Sequence, residues 1–424
     1  MNSEFYRLPG NAAMALYRPD TKSEKSQVAV LAVHGMDYMS FPPLLKLAEA
    51  GYVTAGANPP RRGLKDGIET ILEGIRFLKA YPGVKKVVLL GHSNGGCVCS
   101  CYQYIAENGT ERFDKSDRIL PFPKFEKLIP ADGLMLFDAN YGIMDMLAMD
   151  PAVTDYHNGR KREPSLDLYN PENGYKPDGK SQYSQEFIRR FQKAQVAYYK
   201  NLLAYAKERY ELILAGKGDF DDDEPFLLAG SGPGSSNNKL FIQDTRLLNH
   251  TKAEHKLLHG DGSLSEGVAY TLRPARDSVP STRYRGGAFM MSILQILEEE
   301  IKVDDDFGYD ESSIWGDDWD FNPRCSRRNV QDISVPLLVE GNTASHEFIN
   351  AEYNYDNAKS QDKDLIFLVG ANHDFLPIDK KYGDTLTALC DYVDQWLGKE
   401  GRFMDCMEVK SCVQTADSGM KPLQ

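Results

Sequence analysis

The 424-residue sequence lacks the signals of exported, membrane-spanning and nucleotide-binding chains. Its first ten residues, MNSEFYRLPG, contain neither the basic nor the apolar segment of a secretory signal peptide. No run approaches the roughly eighteen consecutive apolar residues of a transmembrane helix. Neither G-x-G-x-x-G nor a Walker lysine motif occurs. We therefore expect a cytoplasmic protein without a cofactor.

Positive charge is also scarce, with 49 Lys and Arg against 62 Asp and Glu and a net charge of −13. This balance argues against binding to nucleic acid or to an anionic membrane, so the expected partner is a small-molecule substrate. A homo-oligomer is left open because nothing in the sequence indicates one. Seven cysteines, an odd number, are typical of reduced thiols. His250, His255 and His259 lack a completing cysteine or acid cluster, so no metal is expected.

The chain is longer than a single hydrophobic core, which predicts a core with an inserted or second domain. Residues 1–140 and 330–400 alternate strand and helix patterns, which predicts an α/β core with a mostly parallel, doubly wound sheet. Residues 141–329 break this order and predict a large, mainly helical cap insert that includes a helix over Gln185–Leu214. Residues 401–424 show no period and are predicted to form a C-terminal tail.

The core elements are predicted from short apolar runs and from amphipathic stripes. The predicted strands are Val28–Val33, Tyr52–Ala57, Lys86–Leu90, Gly133–Phe137, Val335–Glu340 and Leu365–Val369. The predicted helices are Leu44–Ala50, Gly67–Ala80, Asn94–Glu107, Asn350–Ser360 and Asp384–Leu397.

The most informative motif is GHSNGG, residues 91–96, which lies between a predicted strand and a predicted helix. G-x-S-x-G in this context indicates a nucleophile elbow, in which a sharp turn exposes the serine, here Ser93. Side chains at Gly91 or Gly95 would collide with neighbouring backbone in such a turn. A phosphate-binding turn is the alternative, but the phosphate-loop motifs are missing.

A serine hydroxyl needs a base, and His373 is the best-placed histidine for that role. It lies in GANHD, residues 370–374, after the last predicted core strand and before the final helix. This position puts the imidazole at the same sheet edge as Ser93. The oxyanion site is predicted at the turn HGM, residues 34–36, where the Met36 amide would pair with the Asn94 amide and His34 would support the loop.

The order of strand, HG, GHSNGG, insert, VPLL strand and GANH resembles the α/β-hydrolase superfamily over roughly residues 10–140 and 330–400. The resemblance implies an α/β-hydrolase fold with nucleophile, acid and histidine in that chain order, and with a cap over the active site. An aspartate stands in many relatives a few residues after the penultimate core strand. The segment after that strand here, EGNTAS, contains no aspartate.

Three carboxylates are therefore candidates for the triad acid. Asp138, at the end of the Gly133–Phe137 strand, is the leading one, because some superfamily members resemble this arrangement. Glu340 is the alternative, and Glu347 is also nearby. In each case the carboxylate would hold the imidazole in the correct tautomer.

The resemblance implies a serine hydrolase that cleaves a carboxylic ester or lactone of a medium-sized, partly hydrophobic small molecule through an acyl-enzyme. Carbon–carbon bond hydrolysis of a β-diketone, or amide hydrolysis, would use the same triad. A non-catalytic ligand-binding protein of the same fold is the remaining alternative. Tyr141, Met144 and Leu147 are candidate pocket residues, although all three also fit a core. Epoxide hydrolase and haloalkane dehalogenase activities are disfavoured, because those enzymes resemble this fold with an aspartate at the position of Ser93.

Overall fold

The computed structural model describes residues 1–35, 37–61, 63–155, 160–231, 239–273 and 288–404. The strands in these residues are β1 (Asn2–Arg7), β2 (Ala13–Arg18), β3 (Val28–Val33), β4 (Val53–Asn58), β5 (Lys86–His92), β6 (Gly133–Phe137), β7 (Pro225–Ala229), β8 (His250–Leu258), β9 (Leu264–Tyr270), β10 (Ala288–Ser292), β11 (Val303–Tyr309), β12 (Ile314–Asp317), β13 (Leu337–Asn342) and β14 (Lys363–Leu368). The α-helices are α1 (Pro42–Glu49), α2 (Leu64–Ala80), α3 (Asn94–Asn108), α4 (Met144–Leu147), α5 (Gln185–Leu214), α6 (Leu240–Gln243), α7 (Ile293–Glu298), α8 (Ser326–Asn329), α9 (Ile349–Asn357) and α10 (Thr385–Leu397). Short 3-10 turns lie at Pro9–Asn11, Glu24–Gln27, Glu111–Phe113, Pro171–Asn173 and Lys380–Tyr382.

One large sheet has the strand order β1-β2-β4-β3-β5-β6-β13-β14-β8-β9. The strands from β4 to β8 in this order pair in parallel, whereas the hairpins β1–β2 and β8–β9 are antiparallel and occupy the two edges. β2 joins the parallel part through an antiparallel pairing with β4. A mostly parallel sheet wound by helical crossovers confirms the predicted fold class.

The sheet separates two hydrophobic clusters, and the alternation of side chains along each central strand supplies both. In β3, Ala29, Leu31 and Val33 face one cluster, while Val28 and Val30 face the other. Helices α2, α3 and α9 cover the first face, and α1 and α10 cover the second. This double burial explains why the central strands appear in the sequence as continuous apolar runs.

The chain between β6 and β13 contains the long helix α5 and two small sheets, β7 with β10 and β11 with β12. It also contains the β8–β9 hairpin, which pairs with β14 and extends the large sheet. Residues 250–270 of the predicted insert therefore belong to the core sheet. Their side chains are largely exposed, so they lack the apolar run that marks a central strand.

The division into a core and a cap otherwise remains a prediction. Most of the predicted tail, residues 405–424, lies outside the described residues. Among the helices that the structure describes, none combines the length and the apolar character needed to cross a bilayer.

Candidate active site

The turn between β5 and α3 holds Ser93 in an unusual backbone conformation. Ser93 has φ 55° and ψ −129°, whereas α3 begins at the next residue, Asn94. The Ser93 amide donates to the Phe137 carbonyl at 3.2 Å, and the Ser93 carbonyl accepts from the Asn140 amide at 3.2 Å. These bonds tie the turn to the end of β6 and offset the strain of the positive φ. Ser93 is half-buried.

The glycines around Ser93 permit close backbone contact. A Cβ at Gly91 would lie 2.6 Å from the Gly96 Cα, and a Cβ at Gly95 would lie 2.7 Å from the Val33 carbonyl oxygen. Neither distance is compatible with a side chain, because both neighbours are backbone atoms. The sequence-based explanation for Gly91 and Gly95 agrees with this geometry.

Asp138 and His373 form a close pair next to the elbow. Asp138 directly follows β6, is fully buried and has φ 41°. Its Oδ2 lies 2.6 Å from Nδ1 of His373, and its Oδ1 accepts from the Asn342 amide at 3.2 Å. The His373 side chain is 30% exposed, so the ring can be reached by a ligand. A carboxylate on Nδ1 leaves Nε2 as the nitrogen available for proton transfer.

A second carboxylate, that of Glu347, lies on the other side of the same ring nitrogen. Its Oε2 is 3.4 Å from Nδ1 of His373, and its side chain is 4% exposed. Ser345 Oγ also lies 3.4 Å from Nδ1 and accepts from the Glu347 amide at 3.3 Å. The Ser93 side chain lies close enough to the Glu347 carboxylate to lower the pKa of that group slightly. Within the described residues, no hydrogen bond joins Ser93 directly to His373.

The alternative acid, Glu340, is placed differently. It is fully buried on β13, and neither of its carboxyl oxygens forms a well-aligned hydrogen bond with the described residues. Burial, and then the nearby charge of Asp138, hold the pKa of Glu340 well above its usual range. A carboxyl group that stays neutral and does not contact His373 is poorly suited to orient the imidazole.

The charges around His373 control its protonation. Burial by itself lowers the pKa of the imidazole, but the Glu347 carboxylate and the bond to Asp138 outweigh it and raise that pKa to about 9. For Glu347, burial is the largest influence and raises the pKa of its carboxyl group, which the charge of His373 then lowers in part. At neutral pH the resting site therefore carries a protonated imidazole, and Glu347, with a pKa of about 7, is only partly ionised.

His92 and Tyr38 form a support behind the catalytic pair that the sequence analysis did not identify. His92 Nε2 lies 2.8 Å from the His373 carbonyl oxygen, and the Tyr38 hydroxyl contacts His92 Nδ1. Burial keeps the pKa of His92 well below its usual value, so the ring is neutral: it donates through Nε2 and accepts from Tyr38 at Nδ1. The position of His92 inside GHSNGG was the one available signal for this role.

The remaining predicted site residues are distributed as follows. Asn94 occupies the first position of α3, where helix amides face developing negative charge, and its Oδ1 accepts from Arg324 Nη2 at 2.8 Å. Its proposed oxyanion partner, Met36, lies outside the described residues. His34 stacks on Tyr38, with ring centroids 4.3 Å apart, as a supporting residue would. The three candidate pocket residues are buried in the main hydrophobic cluster: Tyr141, Met144 and Leu147.

The structure thus places a nucleophile elbow at the carboxyl edge of a parallel sheet, with Ser93, Asp138 and His373 in the chain order typical of α/β-hydrolases. The chain has the α/β-hydrolase fold. The resemblance seen in the sequence is confirmed at this level.

No protein-family model matches the sequence, and no curated protein matches it. Solved structures that are similar to this chain include Est1E from Butyrivibrio proteoclasticus, at 10% identity over 94% of this chain and 98% of that chain, with a TM-score of 0.43. The alpha/beta hydrolase GrgF from Penicillium sp. sh18 is 13% identical over 95% of this chain and 98% of that chain, with a TM-score of 0.45. The Paleococcus ferrophilus monoacylglycerol lipase is 13% identical over 93% and 98% of the two chains, with a TM-score of 0.41. At these low similarities the fold assignment rests on the strand order and the elbow of this chain.

Proposed function

We propose that this α/β-hydrolase-fold protein is an enzyme that hydrolyses a carboxylic ester or lactone of a medium-sized, partly hydrophobic small molecule through an acyl-enzyme at Ser93. The observation that carries the proposal is the strained Ser93 elbow beside a histidine whose Nδ1 is held by a buried aspartate. A backbone conformation of this kind is retained where the surrounding structure enforces it, most often at functional sites.

The catalytic roles of Ser93 and His373 follow from the hydrogen bond that Nδ1 of His373 already makes. Asp138 occupies Nδ1 of His373, so Nε2 accepts the proton of Ser93 Oγ as that oxygen attacks the carbonyl carbon. For this transfer the Ser93 hydroxyl must form a hydrogen bond with Nε2 of His373. His373 then returns the proton to the leaving alcohol, and water releases the acyl group by the same route.

The developing oxyanion would be stabilised at the start of α3, where the Asn94 amide lies next to the nucleophile. The Met36 amide remains the predicted second donor. One donor of this type contributes about 3 kcal/mol to the stabilisation of a transition state. Arg324 fixes the Asn94 side chain and is itself 3% exposed, so a residue of the predicted insert supports this part of the site.

A small substrate is favoured because the predicted insert reaches the elbow. Besides Arg324, Arg327 donates to the Tyr141 carbonyl at 3.3 Å, and the Tyr141 hydroxyl donates to the His346 carbonyl at 3.4 Å. These contacts bring the buried ring of Tyr141, in the predicted insert, close to the loop that carries Glu347. Such surroundings exclude water and suit an apolar acyl or alkoxy group better than a polymer chain.

Covalent labelling with a fluorophosphonate tests the proposal. We expect stoichiometric labelling of the full chain at Ser93 and its loss in Ser93→Ala. Ser100→Ala is the matched control, because Ser100 lies on the same helix with a fully buried hydroxyl, and it should label normally. A wild-type protein that is inert to the probe would contradict the proposal and favour a ligand-binding protein. Relative kcat/KM on esters, lactones, amides and β-diketones then identifies the bond that is cleaved.

A further inference from the structure

Two loops that follow neighbouring strands each supply a carboxylate to the same imidazole nitrogen. Asp138 follows β6 and lies 2.6 Å from Nδ1 of His373, and Glu347 follows β13 and lies 3.4 Å from it. Because β6 and β13 are paired in parallel, their carboxyl ends meet at one edge of the sheet. Orientation of a catalytic histidine requires only one acid, so the second carboxylate calls for a separate explanation.

We propose that Glu347 is a second acid of the catalytic centre. It holds the Ser93 hydroxyl and the protonated His373 ring in a resting state, and the loss of one proton at alkaline pH ends this state. This inference rests on the proposed function. Glu347 lies close to Ser93 and 3.4 Å from Nδ1 of His373, whereas Asp138 orients the ring.

The contacts of Glu347 fit this division of roles. Its carboxylate lies close to the Ser93 side chain, and in the proposed resting state it keeps the hydroxyl from Nε2 of His373. The backbone amide of Glu347 is anchored on Ser345 Oγ, so the carboxylate is held in place by its own loop. Its Oε1 lies 3.5 Å from His346 Nε2, which positions the group from the opposite side.

The charged and titratable groups that face the pair come from several elements. Those facing Glu347 are His373, Asp138, His346 and Lys239, and those facing His373 are Glu347, Asp138, Asp374 and His92. Asp374 is exposed, so water screens its charge, while His92 is neutral because burial lowers its pKa. Glu347 is thus the buried charge whose removal should most affect the protonation of His373 without removing its orienting partner.

The resting state ends when His373 loses a single proton. His373 gives up the proton on Nε2 to solvent, the neutral nitrogen becomes an acceptor, and the Ser93 hydroxyl turns from Glu347 to it. With a pKa of about 9 for His373, about one ring in a hundred is neutral at pH 7. We therefore expect kcat/KM of the wild type to rise with pH along an acid limb centred near pH 9.

The test is the pH profile of Glu347→Gln. Loss of an opposite charge at this distance lowers a histidine pKa by about 1 to 3 units, so the acid limb should move down by that amount. At pH 7 kcat/KM should then rise about tenfold or more, while the alkaline plateau should not increase. The rate of fluorophosphonate labelling against pH should shift in the same way, because it needs no substrate recognition.

Asp374→Asn is the matched control, since it removes an exposed carboxylate beside the same histidine, and its acid limb should move by only a few tenths of a unit. An acid limb that stays in place in Glu347→Gln, or activity that falls equally at every pH, overturns the inference. If that variant does not fold, Glu347→Asp withdraws the carboxylate by one methylene and should give an intermediate shift. An unshifted limb in Glu347→Asp also overturns the inference.

Failure of this inference differs from failure of the proposed function. If Ser93 is not a nucleophile, the wild type is not labelled at any pH. If only the role of Glu347 is mistaken, labelling at Ser93 is normal, and the acid limbs of the wild type and of Glu347→Gln coincide.

Discussion

Non-glycine residues with a positive φ are concentrated at the candidate site. The described residues include five of them, and three of these lie at or beside the Asp138–His373 pair: Ser93, Asp138 and Phe375. Phe375 packs against the His92 ring with centroids 4.8 Å apart, so all three belong to one assembly. Each such conformation costs about 1 kcal/mol or more, and the hydrogen bonds of the elbow and of Asp138 offset that cost. Backbone strain is therefore found at Ser93 and Asp138, the residues that the proposal names as nucleophile and acid.

The leading and the alternative triad acid of the sequence analysis, Asp138 and Glu340, can be separated by isosteric substitution. In Asp138→Asn the bond to Nδ1 loses its charge and the imidazole adopts the wrong tautomer, so we expect kcat to fall by about 10³- to 10⁴-fold. Steady-state turnover of the best ester across pH 6 to 10 measures this, and the loss should persist on the alkaline plateau.

Glu340→Gln is the paired variant, because Glu340 is equally buried and stays neutral. We expect it to retain kcat within about tenfold, since a neutral amide replaces a neutral carboxyl group of similar shape. Equal losses in the two variants would show that the contact between Asp138 and His373 does not orient the base.

Sequence reasoning reached the correct edge of the sheet but not the arrangement on it. Ser93 and His373 were identified because glycines and a strand-to-loop position mark them. The choice among Asp138, Glu340 and Glu347 depends on differences of about one ångström between loops, which no local pattern specifies. Tyr38 and His92 were missed for the same reason, since their roles arise only when two distant loops meet.

At the scale of elements, the central strands were predictable because each is buried on both faces. The six predicted core strands match β3, β4, β5, β6, β13 and β14 to within two residues. Most of the missed strands belong to the edge hairpins or to small two-stranded sheets, as β1 does with its alternating exposed residues. A strand with only one buried face, such as β1, lacks the continuous apolar run of a central strand. β2 is an exception, because four of its six residues are buried. Helix α5 has the predicted bounds, Gln185–Leu214, because its stripe is long and regular.

The junction between the elbow and α3 should be intolerant of even one added methyl group. In Gly95→Ala the new Cβ would lie 2.7 Å from the Val33 carbonyl oxygen and 3.1 Å from His34 Cδ2. To relieve this contact, α3 must move away from the end of β3, which separates the Asn94 amide from the predicted oxyanion turn. We expect a loss of about 1 to 3 kcal/mol in the free energy of unfolding, measured by urea denaturation. Labelling at Ser93 should slow as well.

Gly267→Ala is the control at the element scale. Gly267 lies in β9, where a new Cβ would make only an ordinary contact, 3.5 Å from Leu257 Cδ1. Stability and labelling should both stay close to wild type. If Gly95→Ala were equally harmless, the tight approach of α3 to β3 would not be required for the elbow.

On the scale of the whole molecule, one buried side chain helps to hold the β8–β9 hairpin to the core. The β-pairing between β8 and β14 covers only two residue pairs, Leu257 with Phe367 and Leu258 with Leu368. Glu352 on α9 accepts from the amides of Lys252 and Ala253 and from His255 Nε2, each at 2.9 Å. A segment far away in sequence is thus joined to the sheet through a carboxylate.

Glu352→Ala should therefore loosen this hairpin. Removing the acceptor leaves the two amides and the imidazole without their partner, which we expect to cost about 2 kcal/mol. Amide hydrogen exchange in residues 250–258 should become faster, while exchange in the central strands β3 and β5 stays slow. Glu254→Gln, which removes an exposed carboxylate from the same strand, should leave exchange there unchanged.

The pH dependence of this contact has a definite sign. Burial raises the pKa of Glu352, but the bonds from His255, Lys252 and Ala253 outweigh it, so the pKa lies below the usual 4.5. A carboxyl group whose pKa is depressed by folding stabilises the folded state at pH values above its unfolded-state pKa. That contribution is lost as the pH falls through the folded-state pKa. The stability difference between wild type and Glu352→Ala should accordingly be full at pH 7 and shrink below about pH 4.5. A difference that stays constant down to pH 3 would mean that the hairpin is held by packing and not by this carboxylate.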